Sequence, residues 1–139
     1  MTGTSTSEFP VALLPDDILA ALLVLAKQVS KRDRLAFRGH DSALQKVFRN
    51  LIHEFPSATM EPFVFSDSGP EPYSPVLSES ISRLQLSGLV GRENPDYEVL
   101  FLRQSAEQYF DQELRHRLSK QDLGQLQQLA QRFLQLVEG

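Results

Sequence analysis

The three histidines are the side chains best suited to acid–base catalysis or metal binding near neutral pH. His40, His53 and His116 are scattered along the chain. They lack the H-E-x-x-H spacing that places two metal ligands on one helical face. His53 borders the apolar stripe of a predicted helix, and the other two lie among polar neighbours. We therefore interpret them as packing, turn and surface residues rather than as a catalytic or metal site.

Other catalytic groups are equally sparse in the sequence. The chain has no cysteine, which excludes disulfides, thiolate zinc sites and a cysteine nucleophile. It contains no G-x-S-x-G motif and no glycine-rich phosphate loop. Asp16 and Asp17 are adjacent, but neighbours on a helix point apart, and both suit the first turn of a helix. The sequence predicts a protein that is not an enzyme and needs no cofactor or metal.

Charge is distributed unevenly along the chain. The formal net charge is −4, yet seven of the 14 basic residues lie between Lys27 and Arg49, beside two of the 18 acidic ones. Such a cluster predicts a binding site for an anionic partner. The alternative is a solvated connection that charge keeps soluble. The candidate anion-binding residues are Lys31, Arg32, Arg34 and Arg38.

Helix signals dominate the order of predicted elements. The run Ile18–Ala26 is apolar on every side, which is typical of a central helix. Ser74 and Pro75 form a helix start, and Gly88 is a typical helix stop. We expect a mostly helical α+β domain over residues 11–139, after a disordered segment 1–10. A small antiparallel sheet would combine Phe63–Phe65 with a hairpin at Leu89–Leu102, and the C-terminal helices would span 105–138.

The last predicted helix has apolar residues at alternating spacings of three and four, the rhythm of a coiled coil. This pattern predicts a homodimer whose interface includes Leu126, Phe133 and Val137. The alternative is that the helix packs on its own domain, which its additional leucines favour.

The loop before Ser74 is rich in proline, and proline lowers the entropy that is lost when a loop becomes ordered. We treat Asp67, Glu71 and Tyr73 as a candidate loop site. The alternative interpretation is a plain connector between two elements.

The order helix, helix, short strand, helix and hairpin resembles a winged-helix domain. The segment Leu84–Val90 is similar to the L-x-x-x-G-L-V exit from the recognition helix in many bacterial regulators. The segment Ser68–Ser74 resembles the G-P-Y-S stretch of small bacterial proteins of the YwgA type, with Glu71-Pro72 inserted. The resemblance implies a recognition helix at Pro75–Ser87 and a wing at Leu89–Leu102.

The charges of these two elements do not suit DNA. Arg83 is accompanied by Glu79, and Arg92 is outnumbered by nearby carboxylates in the hairpin. We therefore expect a bacterial, non-enzymatic regulatory or adaptor module that binds proteins. The alternative is a DNA-binding transcriptional regulator that contacts phosphates through the basic residues named above. With no signal-peptide pattern and no apolar run long enough for a bilayer, we expect a cytoplasmic protein without membrane contact.

Overall fold

The computed structural model describes residues 13–66, 69, 71–93 and 98–138. They form a mostly helical α+β structure with a small three-stranded antiparallel sheet and C-terminal helices, which confirms the predicted fold class. The predicted disordered segment 1–10 lies outside the described residues.

Helix α1 (Pro15–Ser30) is the centre of the domain. Every side chain from Ile18 to Ala26 is buried, as the all-round apolar run predicts. Pro15 occupies the first turn, where its missing N–H costs nothing. The helix ends at Lys31, which adopts the left-handed conformation with φ 57°.

Two further helices pack near α1. Helix α2 (Asp41–Glu54) begins where the His40 ring accepts a hydrogen bond from the Ala43 N–H. Helix α3 (Pro75–Leu86) begins at Ser74, whose Oγ accepts from the Leu77 N–H at 3.2 Å.

Gln45 joins α2 to the start of α3. This buried side chain accepts a hydrogen bond from the Ser74 N–H at 2.7 Å and donates to the Ser74 carbonyl and to Ser78 Oγ, both at 3.1 Å. Because a buried amide without partners is costly, these bonds set the position of α3 relative to α2.

The sheet consists of β1 (Ala36–Arg38), β2 (Val90–Glu93) and β3 (Val99–Leu102), in the order β1-β3-β2. Phe37 pairs with Leu100 on the buried face, while Gly91 pairs with Phe101 on the outer face. The predicted hairpin is therefore present as β2 and β3, and its turn lies among the residues that are not described.

The predicted strand Phe63–Phe65 is wrong, and the first strand is β1 instead. Phe63 is buried and lies near the Phe48 ring. The N–H groups of Phe63 and Val64 bond to the nearby carbonyls of Met60 and Pro62, so a local turn uses the donors that a ladder would need. An isolated bridge between Ser66 and Tyr73 follows.

The C-terminal part closes the core. Helix α4 (Gln104–Tyr109) continues through a π-helical turn (Phe110–Leu114) and a 3-10 turn (Arg115–Arg117). Helix α5 (Lys120–Glu138) then packs along α1 and α2. Its Phe133 ring makes edge contacts with Phe37 and Phe48, at centroid distances of 5.3 and 5.6 Å.

Gly88 ends α3 as predicted. Gly88 has φ 80°. The Gly88 N–H bonds to the Gln85 carbonyl at 3.1 Å, and the Leu89 N–H bonds to the Leu84 carbonyl at 2.9 Å. These two bonds are the Schellman motif, in which a left-handed residue follows the helix.

The same added methyl group should have opposite effects at two glycines. A Cβ at Gly88 or at Gly124 meets no atom within 4 Å, so backbone preference alone decides the outcome. We expect Gly88→Ala to lower the free energy of unfolding by about 1 kcal/mol, and Gly124→Ala in α5 to raise it by about 0.5–1 kcal/mol. Urea denaturation measures both, and equal effects of the two variants would contradict the assigned helix end.

Candidate interaction surfaces

The basic segment 31–38 is bound to carboxylates that come from distant parts of the chain. Arg32 pairs with Glu138, Arg34 pairs with Glu93 at 2.6 Å, and Arg38 pairs with Glu98 at 3.6 Å. Lys31 is the left-handed residue that ends α1. The structure thus places the four predicted anion-binding residues on one stretch of surface, with a carboxylate beside each of the three arginines.

A small cluster on the outer face of the sheet was not expected from the sequence. The guanidinium carbons of Arg34 and Arg103 lie over the Phe101 ring, 4.6 and 5.1 Å from its centroid. We call these three residues the outer-face cluster. A Cβ at Gly91 would lie 2.6 Å from Phe101 Cζ, so the ring occupies the space left by a missing side chain. A glycine within the predicted hairpin was the available sequence signal, because it indicates close approach of a neighbouring group.

The arginines of α3 and β2 make contacts within the domain. Arg83 donates to both carboxylate oxygens of Asp16, at 2.8 and 2.9 Å. Partial burial raises the pKa of Asp16, but the hydrogen bonds and charge of Arg83 outweigh it, and the net pKa is lowered. Arg92 donates to the Gly39 carbonyl at 2.8 Å and to Gln85 Oε1 at 3.2 Å. Burial lowers the pKa of Arg92, as expected for a cation that is partly removed from water.

Two of the three residues of the candidate loop site, Glu71 and Tyr73, lie among the described residues. Tyr73 is 44% exposed and its backbone pairs with Ser66, while Glu71 forms an ion pair with Lys46 at 3.2 Å. The third predicted residue, Asp67, lies outside the described residues.

The predicted dimer stripe lies in the core of its own chain instead. Leu126 and Phe133 are both 0% exposed, and Val137 is partly buried against the same core. The alternation of threes and fours arises because α5 packs along α1 and α2, so Leu126 and Phe133 offer no free surface to a second copy.

A buried polar network joins α1 to the C-terminal turns. Asp17 is 5% exposed, accepts a hydrogen bond from the Tyr109 hydroxyl at 2.7 Å, and accepts another from Arg117 Nη2 at 2.8 Å. Burial and the neighbouring Asp17 carboxylate raise the pKa of Tyr109. In the sequence, the favourable effect of a carboxylate on the helix dipole was enough to explain Asp17 in the first turn, so its bonds to Tyr109 and Arg117 were not predicted.

The described residues contain no group of three or more His, Cys, Asp or Glu that could hold a metal ion. A polar cleft of about 450 Å³ lies between α1 and α4, and the ion pair between Lys27 and Glu107, at 2.9 Å, is part of its lining. Every helix among the described residues is too short or too polar to cross a bilayer.

Comparison of the chain with protein-family models, with curated proteins and with solved structures finds no match.

Adjacent carboxylates allow a matched test of the buried network. Asp17→Ala leaves the partly buried Arg117 without its carboxylate, and we expect a loss of about 3 kcal/mol in the free energy of unfolding. Asp16→Ala removes a more exposed pair and should cost less than about 1 kcal/mol. Urea denaturation at neutral pH compares them, and similar losses would mean that Asp17 contributes no more than a surface pair.

Phe133 provides a test of whether α5 belongs to the core. We expect Phe133→Ala to cost about 3–5 kcal/mol, because it leaves a cavity beside Phe37 and Phe48. The control Leu86→Ala alters a side chain that is 87% exposed and should change stability by less than about 0.5 kcal/mol. A stable Phe133→Ala monomer derived from a wild-type dimer, seen by light scattering, would restore the dimer hypothesis.

Proposed function

We propose that the chain is a non-enzymatic regulatory or adaptor module of winged-helix type that acts through contacts with other proteins. The element order α1-β1-α2-α3-β2-β3 and the strand order β1-β3-β2 support the winged-helix part of this proposal. In such a domain α3 occupies the recognition position, and the connection between β2 and β3 forms the wing.

The observation that carries the proposal is the internal pairing of the arginines. Arg83 on α3, Arg92 on β2 and the three arginines of segment 31–38 all contact carboxylates or carbonyls of their own chain. The distance between the charged atoms of each ion pair is shorter than the Debye length of about 8 Å at physiological salt, so salt does not fully screen the attraction within a pair. An approaching DNA phosphate therefore meets nearly neutral pairs rather than free positive charge.

The exposed face of α3 also suits a protein partner better than a phosphate backbone. It carries Glu79, Ser82, Arg83, Gln85 and Leu86, and Leu86 is the most exposed large apolar residue among those described. Arg83 is paired with Asp16, and the uncharged and apolar side chains beside it provide contacts typical of protein interfaces.

DNA binding through Lys31, Arg32, Arg34 and Arg38 is the second candidate, and one observation favours it. The three ion pairs in this segment are solvent-exposed, and exposed pairs contribute only about 0–1 kcal/mol each. Phosphates could replace the carboxylates at small cost, provided that several contacts form together.

A duplex-binding experiment separates the two candidates. We expect no binding of a labelled 30-base-pair duplex of random sequence below about 10 µM protein in low salt, where nonspecific DNA-binding proteins bind readily. Fluorescence anisotropy over a salt series measures this. The variant Arg32→Glu/Arg34→Glu should behave like the wild-type chain.

Tight binding that weakens steeply with salt and disappears in Arg32→Glu/Arg34→Glu would contradict the proposal and support the second candidate. Lys120→Glu, at the beginning of α5 and outside the basic segment, is the control for a general effect of charge.

A further inference from the structure

We propose that the edge of β2 that pairs with no described strand, together with the adjacent outer-face cluster, binds an extended acidic segment of a partner protein. This inference rests on the proposed function, because it names the surface and the chemistry of the protein contact. The partner segment would add as a fourth strand beside β2 and place a carboxylate against Arg103.

The first step of the argument concerns the backbone. In the order β1-β3-β2, strand β2 pairs with β3 on one side and with no strand of the described residues on the other. An edge strand presents unpaired N–H and C=O groups, which an extended peptide can satisfy by strand addition.

The second step concerns the residue of the added strand that would lie opposite Gly91. Arg103 Nη2 lies 2.9 Å from the position that a Cβ at Gly91 would occupy. Side chains directly opposite on neighbouring antiparallel strands have Cβ atoms about 4.5–5.5 Å apart. A residue of an added strand that faces Gly91 on the outer side therefore lies within reach of this guanidinium group.

The third step concerns charge. Arg103 is exposed, its contact in the structure is with the Phe101 ring, and no described carboxylate forms an ion pair with it. Its guanidinium group is held beside β2 by this ring contact, so little freedom is lost on binding a carboxylate. An Asp or Glu side chain of the added strand would supply an anionic partner for Arg103.

The fourth step distinguishes a peptide from a nucleic acid. The guanidinium groups of Arg34 and Arg103 lie over the Phe101 ring, which leaves its faces unsuited to base stacking. Glu93, which pairs with Arg34 of the cluster, opposes a nucleic acid, which carries a negative charge at every unit. A strand with one or two carboxylates needs no stacking on the Phe101 ring and carries fewer negative charges than a nucleic acid.

Two seven-residue peptides test the proposal. The first, Thr-Val-Glu-Val-Glu-Val-Thr, presents glutamates on one face as a strand, and the second replaces both glutamates by lysine. We expect the acidic peptide to bind the full chain at least about tenfold more tightly, as measured by fluorescence anisotropy. Amide NMR shifts should centre on Val90–Glu93, the residues of the added edge.

Variants of Arg103 identify the charge that is responsible. We expect Arg103→Ala to weaken binding of the acidic peptide at least about fivefold, and Arg103→Glu to reverse the preference toward the lysine peptide. Lys120→Ala removes one positive charge elsewhere and should change binding less than about twofold. Circular dichroism verifies that each variant is folded.

The proposal is wrong if the two peptides bind equally, if neither binds up to about 1 mM, or if Arg103→Ala binds as the wild type does. It is also wrong if the shifts lie away from β2, or if β2 instead pairs with a second copy of the chain. Any of these results without duplex binding overturns this inference alone, whereas duplex binding with a steep salt dependence overturns the proposed function.

Discussion

The enclosure of α1 is the constraint on which the rest of the structure depends. Its run Ile18–Ala26 is buried on every side, and a helix of this kind is stable in water only when other elements surround it. Helix α5 packs along it, α3 lies against another part of its surface, and the π-helical turn adds further contacts. Burial of a Leu or Ile side chain contributes about 1.5–3 kcal/mol, so this one helix is a major source of stability. The sheet then needs to cover only a limited part of the core, consistent with its three short strands.

Ion pairs connect the surface around this core. Arg32 and Arg34, which lie between α1 and β1, pair with carboxylates at the end of α5 and on β2, and Arg38 on β1 pairs with the carboxylate of the residue before β3. Each exposed pair contributes little stability, yet each places a carboxylate beside one arginine of the basic segment. Asp17 is different, because it is buried and binds both Tyr109 and Arg117. Removing one partner from this network leaves a buried polar group without its hydrogen bond, which is costly. The network therefore links α1 specifically to the C-terminal turns.

The sheet gives the domain a surface that differs from the rest. Its inner face is apolar, and its outer face carries an aromatic ring with two guanidinium groups over it. Gly91 is necessary for this arrangement because any larger residue would collide with Phe101. The same surface lies next to the edge of β2 that pairs with no described strand, which is where we propose that backbone hydrogen bonding and charge recognition act together.

Local signals in the sequence were sufficient for the helices, the hairpin and the end of α3, because capping residues, apolar stripes and a glycine stop act over a few residues. The strand β1 was missed since three residues carry no measurable period, and Phe63–Phe65 was misassigned because an apolar run does not show where its backbone bonds. The burial of Leu126 and Phe133 on α5 was explained only by the packing of α1 and α2 against that helix.

The candidate surface depended even more on tertiary structure. Arg34 and Glu93 are 59 residues apart, and Asp17 and Arg117 are 100 apart, so their pairing follows from the packing of whole elements. The sequence by itself determined which segments are helical and where charge is concentrated. Only the fold decided which arginines have a carboxylate partner and which guanidinium groups lie over Phe101, because those properties depend on distances in space.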